Sequence, residues 1–258
     1  MASKVLLLAL LQGVAEFLPI SSSGHLAIAG RWLGLDSPGA GLALLLHLGT
    51  LLSVVAFYRR RLARLAAGLV LGVRASWRQA GAIVLGCTPV AAAYALFGDN
   101  VKRCLDKGHP FMGAMLIVTG AVLLSTRLAR KGRNGEMSPA RALLVGAAQA
   151  FALLPGISRS GMTISAARHL GVERREAADF SFIMSIPLLA GAALMPLAKG
   201  QGLDLGGVSP ALAVAAAALS AVTGYFSLRL LIGILSGPRF WIFGLYCVAA
   251  GALALILA

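Results

Sequence analysis

The chain has 258 residues, of which 59% are hydrophobic and only 12% are charged. Because soluble domains carry about 25% charged residues, this composition argues against a soluble protein and predicts an all-α protein that crosses a membrane several times. The formal net charge of +14 does not indicate nucleic-acid binding, since the basic residues lie mostly in short segments between apolar stretches, as membrane topology requires.

The first predicted element is an apolar stretch, residues 4–33, that is broken by a polar cluster. Gln12 and Glu16 lie on one helix face, and the sequence FLPISSSG follows at residues 17–24. Since the two polar residues interrupt the apolar run, we expect this segment to be retained and not cleaved as a signal peptide. Each half is too short to cross a bilayer comfortably on its own, and the flanking charges do not decide the topology. The similarity of this stretch to a second broken stretch farther along the chain favours a re-entrant hairpin entering from outside. A single crossing kinked at the proline is the alternative.

Three predicted transmembrane helices follow, at residues 41–58, 79–97 and 110–127. The basic loops of a membrane protein lie in the cytoplasm. The loops at 59–78 and 127–141 are rich in arginine, and we place both there. The loops at 98–109 and 200–208 have mixed charge or almost none, and they are predicted to lie outside.

A second broken stretch, residues 141–170, repeats the first at an offset of about 137 residues. Its centre reads LLPGISRSG at residues 153–161. Because the segment after it carries Arg174 and Arg175, both of its ends are predicted to lie in the cytoplasm, which again favours a re-entrant hairpin. Further transmembrane helices are predicted at residues 179–199, 209–230 and 239–258.

The pattern as a whole predicts one membrane domain, residues 1–258, with about six transmembrane helices and two re-entrant hairpins. Its halves, approximately 1–127 and 128–258, are predicted to form an inverted-topology repeat. Broken helices in corresponding positions of two halves point to a binding site near the middle of the membrane. We therefore expect the two polar breaks to meet and to form one site.

The first break carries groups suited to metal binding and to proton transfer. Glu16 is an ionisable residue at membrane depth, where such residues are usually functional, and with Gln12 it offers hard oxygen ligands for Mg²⁺ or Ca²⁺. His25 is a candidate general acid, base or nucleophile, with a packed histidine as the alternative. Four residues open the second helix of the hairpin and can bind an anion or simply cap the helix: Ser21, Ser22, Ser23 and Gly24.

The second break carries an arginine, Arg159. Its guanidinium offers a planar fork of donors matched to phosphate oxygens; the alternative is an ion pair with Glu16 or Asp179 that holds the fold, and both roles are compatible. His47 is a weaker candidate that either lines the cavity or belongs to the core. The hydroxyl and glycine positions around the arginine are candidate phosphate ligands: Ser158, Ser160, Gly161 and Thr163.

The two breaks resemble the signatures of a known family, the bacterial undecaprenyl-diphosphate phosphatases of the bacitracin-resistance type. Residues 12–25, QGVAEFLPISSSGH, are similar to the first signature, and residues 155–163, PGISRSGMT, are similar to the second. The resemblance covers essentially the whole chain. Two long motifs at the expected separation make it specific.

The resemblance implies an integral membrane hydrolase that converts undecaprenyl diphosphate to the monophosphate and so recycles the carrier lipid for peptidoglycan synthesis. It also implies dependence on a divalent cation, a bacterial plasma-membrane location and an active site that opens to the outer side. Carried over to this chain, the essential residues are Glu16, His25 and Arg159, with Gln12 supporting the cation. Phosphate contacts are implied for Ser22, Ser158, Ser160 and Thr163.

The residues leave both the mechanism and the class of function open. Either Ser22 or His25 attacks phosphorus, or His25 activates a water. A lipid-phosphate flippase or an anion transporter would use the same arginine and helix ends without hydrolysis, and a purely structural membrane subunit is a third alternative. We expect the lipid substrate and membrane lipids as partners, and no nucleic acid. The sequence leaves the oligomeric state open, and a homodimer is one alternative.

Overall fold

The structure is a computed structural model that describes residues 1–35, 40–105, 108–129, 132, 137–198, 204–235, 237 and 239–257. The described chain is helical, with three short 3-10 segments at Thr126–Leu128, Phe151–Leu153 and Arg239–Trp241. Its α-helices are α1 Ala2–Phe17, α2 Ser22–Trp32, α3 Ala40–Val70, α4 Arg74–Leu105, α5 Gly108–Ser125, α6 Pro139–Ala150, α7 Arg159–His169, α8 Arg174–Ala198, α9 Pro210–Leu235 and α10 Ile242–Ile256.

Within the described ranges, 6 helices are long and apolar enough to cross a membrane by length and composition. Each of them overlaps one of the predicted transmembrane helices, so the all-α, multi-pass architecture is confirmed. The apolar segments are Gly41–Val70, Arg74–Gly98, Pro110–Leu128, Arg174–Leu194, Pro210–Leu235 and Arg239–Ile256.

Two of the predicted loops are largely helical. The segment 59–78 is the end of α3 and the start of α4, with a connection only at residues 71–73. Likewise α4 continues to Leu105, into the predicted loop at 98–109. Arginines mark where a helix leaves the bilayer but do not end the helix, because exposed arginine is a good helix former. Much of the predicted loops at 127–141 and 200–208 lies outside the described residues.

The chain doubles back at each polar break. The Lys4 ammonium at the start of α1 donates a hydrogen bond to the Leu33 carbonyl just after α2, although α1 alone is about 24 Å long. In the second region, Gly132 lies before α6 and Val172 lies after α7, yet a Cβ at Gly132 would be only 2.5 Å from the Val172 oxygen. Each broken stretch is therefore a helical hairpin with its two ends together. The side from which each hairpin enters the bilayer stays a prediction.

Each hairpin packs against a long helix from the other half of the chain. Helix α1 packs against α9, and α6 packs against α4. Glycines allow close approach in both places: a Cβ at Gly13 would be 2.9 Å from the Gly224 nitrogen, and one at Gly146 would be 2.2 Å from the Gly86 oxygen. Small residues at contacts are typical of helices packed within membranes. An inverted repeat would produce this packing, in which the hairpin of each half contacts a long helix of the other half. The division of the chain into halves stays a prediction.

We predict that Gly146→Ala destabilises the protein, because its methyl group would push α6 away from the α4 backbone. Overpacking of this kind costs about 1–3 kcal/mol, which thermal unfolding in detergent would measure as a lowered midpoint. The matched control is Gly233→Ala on α9, where a Cβ meets nothing within 4 Å. The control should be neutral or stabilising, since alanine is the better helix former. Equal midpoints for the two variants would contradict the close packing described above.

Candidate active site

A cavity of about 610 Å³ lies where the tips of the two hairpins meet helices α3, α4 and α8. One part of its wall is apolar and includes Val90 and Ala91 of α4 and Leu188 of α8. The polar part collects side chains from both hairpins. The polar residues that line it are Glu16, Ser21, Ser22, Ser23, His47, Tyr94, Gln149, Ser158, Arg159 and Ser185.

Glu16 and Arg159 form an ion pair that joins the two hairpins. The Arg159 Nη2 donates to Glu16 Oε1 at 2.8 Å, and the Glu16 residue is only 9% exposed. The other carboxylate oxygen, Oε2, accepts from the Ser22 hydroxyl at 2.7 Å and from Gln12 Nε2 at 3.2 Å. Of the two predicted ion-pair partners of Arg159, the structure therefore selects Glu16.

Asp179 belongs to a different cluster, between α3 and α8. It accepts from Arg61 at 2.5 Å and from the buried Tyr58 hydroxyl at 2.7 Å. Arg61 also donates to both oxygens of Glu176, at 2.9 and 3.1 Å. Because this cluster fully engages the carboxylate of Asp179, it holds two long helices together and supplies no ligand to the cavity.

The serines that begin α2 and α7 cap those helices in the same way. Ser21 Oγ accepts from the Gly24 N–H at 3.4 Å, and Ser158 Oγ accepts from the Gly161 N–H at 3.1 Å. Ser21 has a φ of 69°, the one positive value at a non-glycine position among the residues that the structure describes. Strained backbone of this kind is held by its surroundings and is concentrated at functional sites.

Hydroxyl groups of the first hairpin and of α5 hold the tip of the second hairpin in place. Ser23 Oγ accepts from the Gly156 N–H at 3.3 Å, and Thr119 of α5 accepts from the Ser158 N–H at 3.1 Å. Gly156 has a φ of 95°, and a Cβ there would be 2.7 Å from the Met112 oxygen. The irregular backbone of the tips is thereby buried in protein, as membrane depth demands.

Some predicted phosphate ligands lie behind the cavity wall. Thr163 is fully buried, and its hydroxyl lies 2.6 Å from that of Ser181, which ties α7 to α8. Ser160 is buried with its hydroxyl 3.3 Å from that of Ser158. Gly24 and Gly161 contribute the capped N–H groups. A phosphate contact from these four residues stays a prediction.

The two candidate histidines occupy different places. Both ring nitrogens of His25 have partners, with Nδ1 at 2.9 Å from the Ser21 carbonyl and Nε2 at 2.7 Å from the Tyr246 hydroxyl, and the ring lies outside the cavity wall. His47 does line the cavity, with Nε2 at 3.9 Å from Glu16 Oε2. Its Nδ1 lies 2.8 Å from the Ala43 carbonyl, which leaves Nε2 free to face the site.

Gln149 of α6 is a cavity residue that the sequence analysis missed. It is 2% exposed and lines the wall beside Ser158 and Arg159. A signal was present, because Gln149 stands at the same offset from Gln12 as Ser158 does from Ser21.

The first hairpin offers oxygen atoms that suit a hard cation. Gln12 is fully buried, and its Oε1 has no hydrogen-bond partner among the described protein atoms. Gln12 lies behind the cavity wall, and Glu16, which does line the cavity, adds a carboxylate next to it. No group of three or more His, Cys, Asp or Glu is placed to hold a metal ion in the described ranges. The oxygens of Gln12 and Glu16 fit a cation whose remaining ligands come from a substrate or from water.

Comparison with known proteins gives a consistent family. The model of the family "Bacitracin resistance protein BacA" matches residues 5–253. An undecaprenyl-diphosphatase of Desulfosudis oleivorans is 37% identical, covering 96% of this chain and 95% of the relative. Proteins of the same name from Syntrophotalea carbinolica and Methanosphaera stadtmanae are 38% and 34% identical, covering 96% and 98% of this chain and 95% and 96% of the relatives.

We predict that breaking the ion pair from one side destabilises the protein more than removing both charges. Glu16→Gln or Arg159→Met leaves one buried charge without its partner, a loss of about 3–5 kcal/mol, whereas the double variant leaves none. Thermal unfolding in detergent would measure all three variants. The control is Arg60→Gln, at an exposed position, and its free energy of unfolding should stay within about 0.5 kcal/mol of the wild-type value. Losses that simply add in the double variant would contradict a direct pair.

Proposed function

The chain belongs to the bacitracin resistance protein BacA family, and from this premise we propose that it hydrolyses undecaprenyl diphosphate to undecaprenyl phosphate and inorganic phosphate. Such an enzyme returns a carrier lipid to peptidoglycan synthesis. The observation that carries the proposal is the buried contact of Arg159 with Glu16 and, through it, Ser22, in a cavity with an apolar wall. A flippase or an anion transporter is not favoured, because the relatives are named as phosphatases.

The shape of the cavity supports an amphipathic substrate. Its polar part would hold the diphosphate head, and its apolar part the first units of the hydrocarbon tail. The apolar part is formed by Val90, Ala91, Leu188, Leu189 and Ala192. Since α4 and α8 are transmembrane helices, a tail lying between them can continue into the bilayer.

The charges of the site support binding of a diphosphate anion. Arg159 is the cationic side chain among the described residues of the cavity wall. The N-termini of α2 and α7 meet at the cavity, and each carries N–H groups and a partial positive charge that favour an anion. Donors fixed in place before the reaction also stabilise the charge that develops as the anhydride bond breaks.

The hydrogen bond from Ser22 to Glu16 supports serine as the nucleophile. In the proposed step Ser22 Oγ bonds to the terminal phosphorus, its proton passes to Glu16, and the bond from that phosphorus to the bridging oxygen breaks. Undecaprenyl phosphate leaves with the bridging oxygen and takes up the proton from Glu16, which restores the carboxylate. Water then hydrolyses the phosphoserine, which releases inorganic phosphate and restores the hydroxyl.

His25 is the less favoured nucleophile, since both of its ring nitrogens are engaged and its ring lies outside the cavity wall. Its contact with the Ser21 carbonyl supports a role in holding the strained turn beside Ser22. His47 faces Glu16 with Nε2 at 3.9 Å from Oε2, which is beyond direct hydrogen-bond distance.

We propose a divalent cation, Mg²⁺ or Ca²⁺, as the cofactor, held by Gln12 Oε1 and Glu16 together with substrate oxygens. When bound, such an ion neutralises phosphate charge and polarises the phosphoryl group. The unpaired buried oxygen of Gln12 supports this assignment.

The position of the cavity along the helices supports an active site that opens to the outer side of the plasma membrane. Helix α4 begins at Arg74, in the arginine-rich region predicted to be cytoplasmic. The cavity is reached only at Val90, about 24 Å farther along the helix. The cavity therefore lies far from the basic end of the protein.

We predict that the purified protein releases phosphate from undecaprenyl diphosphate in the presence of Mg²⁺ or Ca²⁺ and that Ser22→Ala lowers kcat on the order of 10³-fold. Rapid quenching with substrate labelled at the terminal phosphate should trap labelled phosphoserine, and His25→Gln should still form it. Near-normal turnover by Ser22→Ala would rule out serine attack. Protein that binds the lipid but releases no phosphate would rule out the hydrolase itself.

A further inference from the structure

Gln149 presents a buried carboxamide that the protein itself does not satisfy. Its Nε2 and Oε1 both lack a hydrogen-bond partner within the part of the chain that the structure describes, and the residue is 2% exposed. Buried polar groups in folded proteins are almost always paired. Because Gln149 lines the cavity, its partner is expected to enter with a ligand.

The internal repeat explains why this amide is free. Gln12 and Gln149 are related by the offset of 137 that also relates Ser21 to Ser158, whereas the prolines Pro19 and Pro155 are related by an offset of 136. In the first copy the amide of Gln12 donates to Glu16 at 3.2 Å. In the second copy, the residues at offsets of 136 and 137 from Glu16 are Ala152 and Leu153, and neither is a carboxylate. The second copy has therefore kept the amide but not the carboxylate that would occupy it.

Among the described residues, the buried side-chain N–H donors without a partner lie on the second hairpin. On the second hairpin, Arg159 Nη1 and Gln149 Nε2 are N–H donors without an acceptor in the described chain, beside the unpaired oxygens of Gln149 and Ser165. On the first hairpin, the unpaired atom is the acceptor Gln12 Oε1. Donors match the oxygens of an anion, whereas an acceptor beside a carboxylate matches a cation. The second hairpin is thus the anion side of the cavity.

We propose that Gln149 binds the diphosphate directly, donating from Nε2 to a phosphate oxygen while Arg159 Nη1 donates to another. This inference rests on the proposed function and adds a substrate-binding residue to it. Arg159 has a second role, because its positive charge also balances the negative charge of Glu16. Gln149 pairs with no other side chain among those described, so its hydrogen bond is available to the substrate alone.

The test compares Gln149→Met with the wild-type full-length protein in detergent. Methionine keeps the length of the side chain but removes the donor, so KM for undecaprenyl diphosphate should rise about tenfold with kcat nearly unchanged, as expected when a binding interaction is lost. Binding of methylenediphosphonate, a diphosphate that cannot be hydrolysed, should weaken by a similar factor. Gln149→Glu keeps the shape and adds a negative charge, so it should weaken the binding of that probe further.

A matched control comes from Ser165 on α7. Its hydroxyl is also buried and has no partner among the described residues, but it does not line the cavity. Ser165→Ala should therefore leave both KM and the affinity for methylenediphosphonate unchanged. The thermal midpoint of every variant is measured beside the binding, so that a merely structural effect is recognised.

The outcomes separate this inference from the proposed function. If wild-type protein turns over and both Gln149 variants keep wild-type KM and methylenediphosphonate affinity, Gln149 does not touch the phosphate and the inference is wrong. If wild-type protein releases no phosphate from the lipid, the proposed function fails, and the affinity for methylenediphosphonate still decides the role of Gln149. If Gln149→Met does not fold, the near-isosteric Gln149→Glu carries the same comparison.

Discussion

The ion pair between Glu16 and Arg159 is the interaction on which the rest of the site depends. Either charge alone would be expensive at membrane depth, and removing one partner leaves the other uncompensated. The pair therefore requires two hairpin tips, distant in the sequence, to lie within hydrogen-bond distance. The close packing of α1 on α9 and of α6 on α4 holds the hairpins in that position. The irregular backbone at the tips follows from the same requirement, since it must be satisfied inside the protein.

The two copies of the motif share a frame and have diverged in their chemistry. In each, a serine caps the second helix of the hairpin, and a buried glutamine lies in the first helix. The first copy adds the carboxylate of Glu16 and the buried, unpaired oxygen of Gln12, which suit a cation, while the second adds the guanidinium of Arg159. Under the proposed function, a diphosphate between them would meet the positive charge of Arg159 from one copy and the proposed cation ligand and proton acceptor, Glu16, from the other. This complementarity is the physical reason that neither half is sufficient.

Much of the architecture could be predicted from the sequence, because composition and charge determine which segments can cross a bilayer. The meeting of the two breaks was predictable for a similar reason, since polar backbone at depth must be covered. The partner of Arg159 was not predictable, because Glu16 and Asp179 are both acidic and only the tertiary packing separates them. The positions of the two histidines were not predictable either. Whether His25 or His47 faces the cavity depends on the rotation of each helix about its axis, and a hydropathy pattern does not indicate that rotation when all faces of a helix are apolar. Gln149 was not predicted as a site residue, because a single amide in an apolar helix forms no motif, and only its offset from Gln12 in the repeat indicates its place.

An experimental structure with a non-hydrolysable analogue of undecaprenyl diphosphate, carrying a methylene bridge between the phosphorus atoms, would test most directly whether both hairpins form one active site. We expect the two phosphoryl groups to lie between the N-termini of α2 and α7, with Arg159 on one side and Glu16 and Ser22 on the other. We also expect the hydrocarbon chain to leave between α4 and α8. An analogue whose phosphates contact only one hairpin, or bind near Arg61 and Glu176 instead, would contradict a single active site built from both halves.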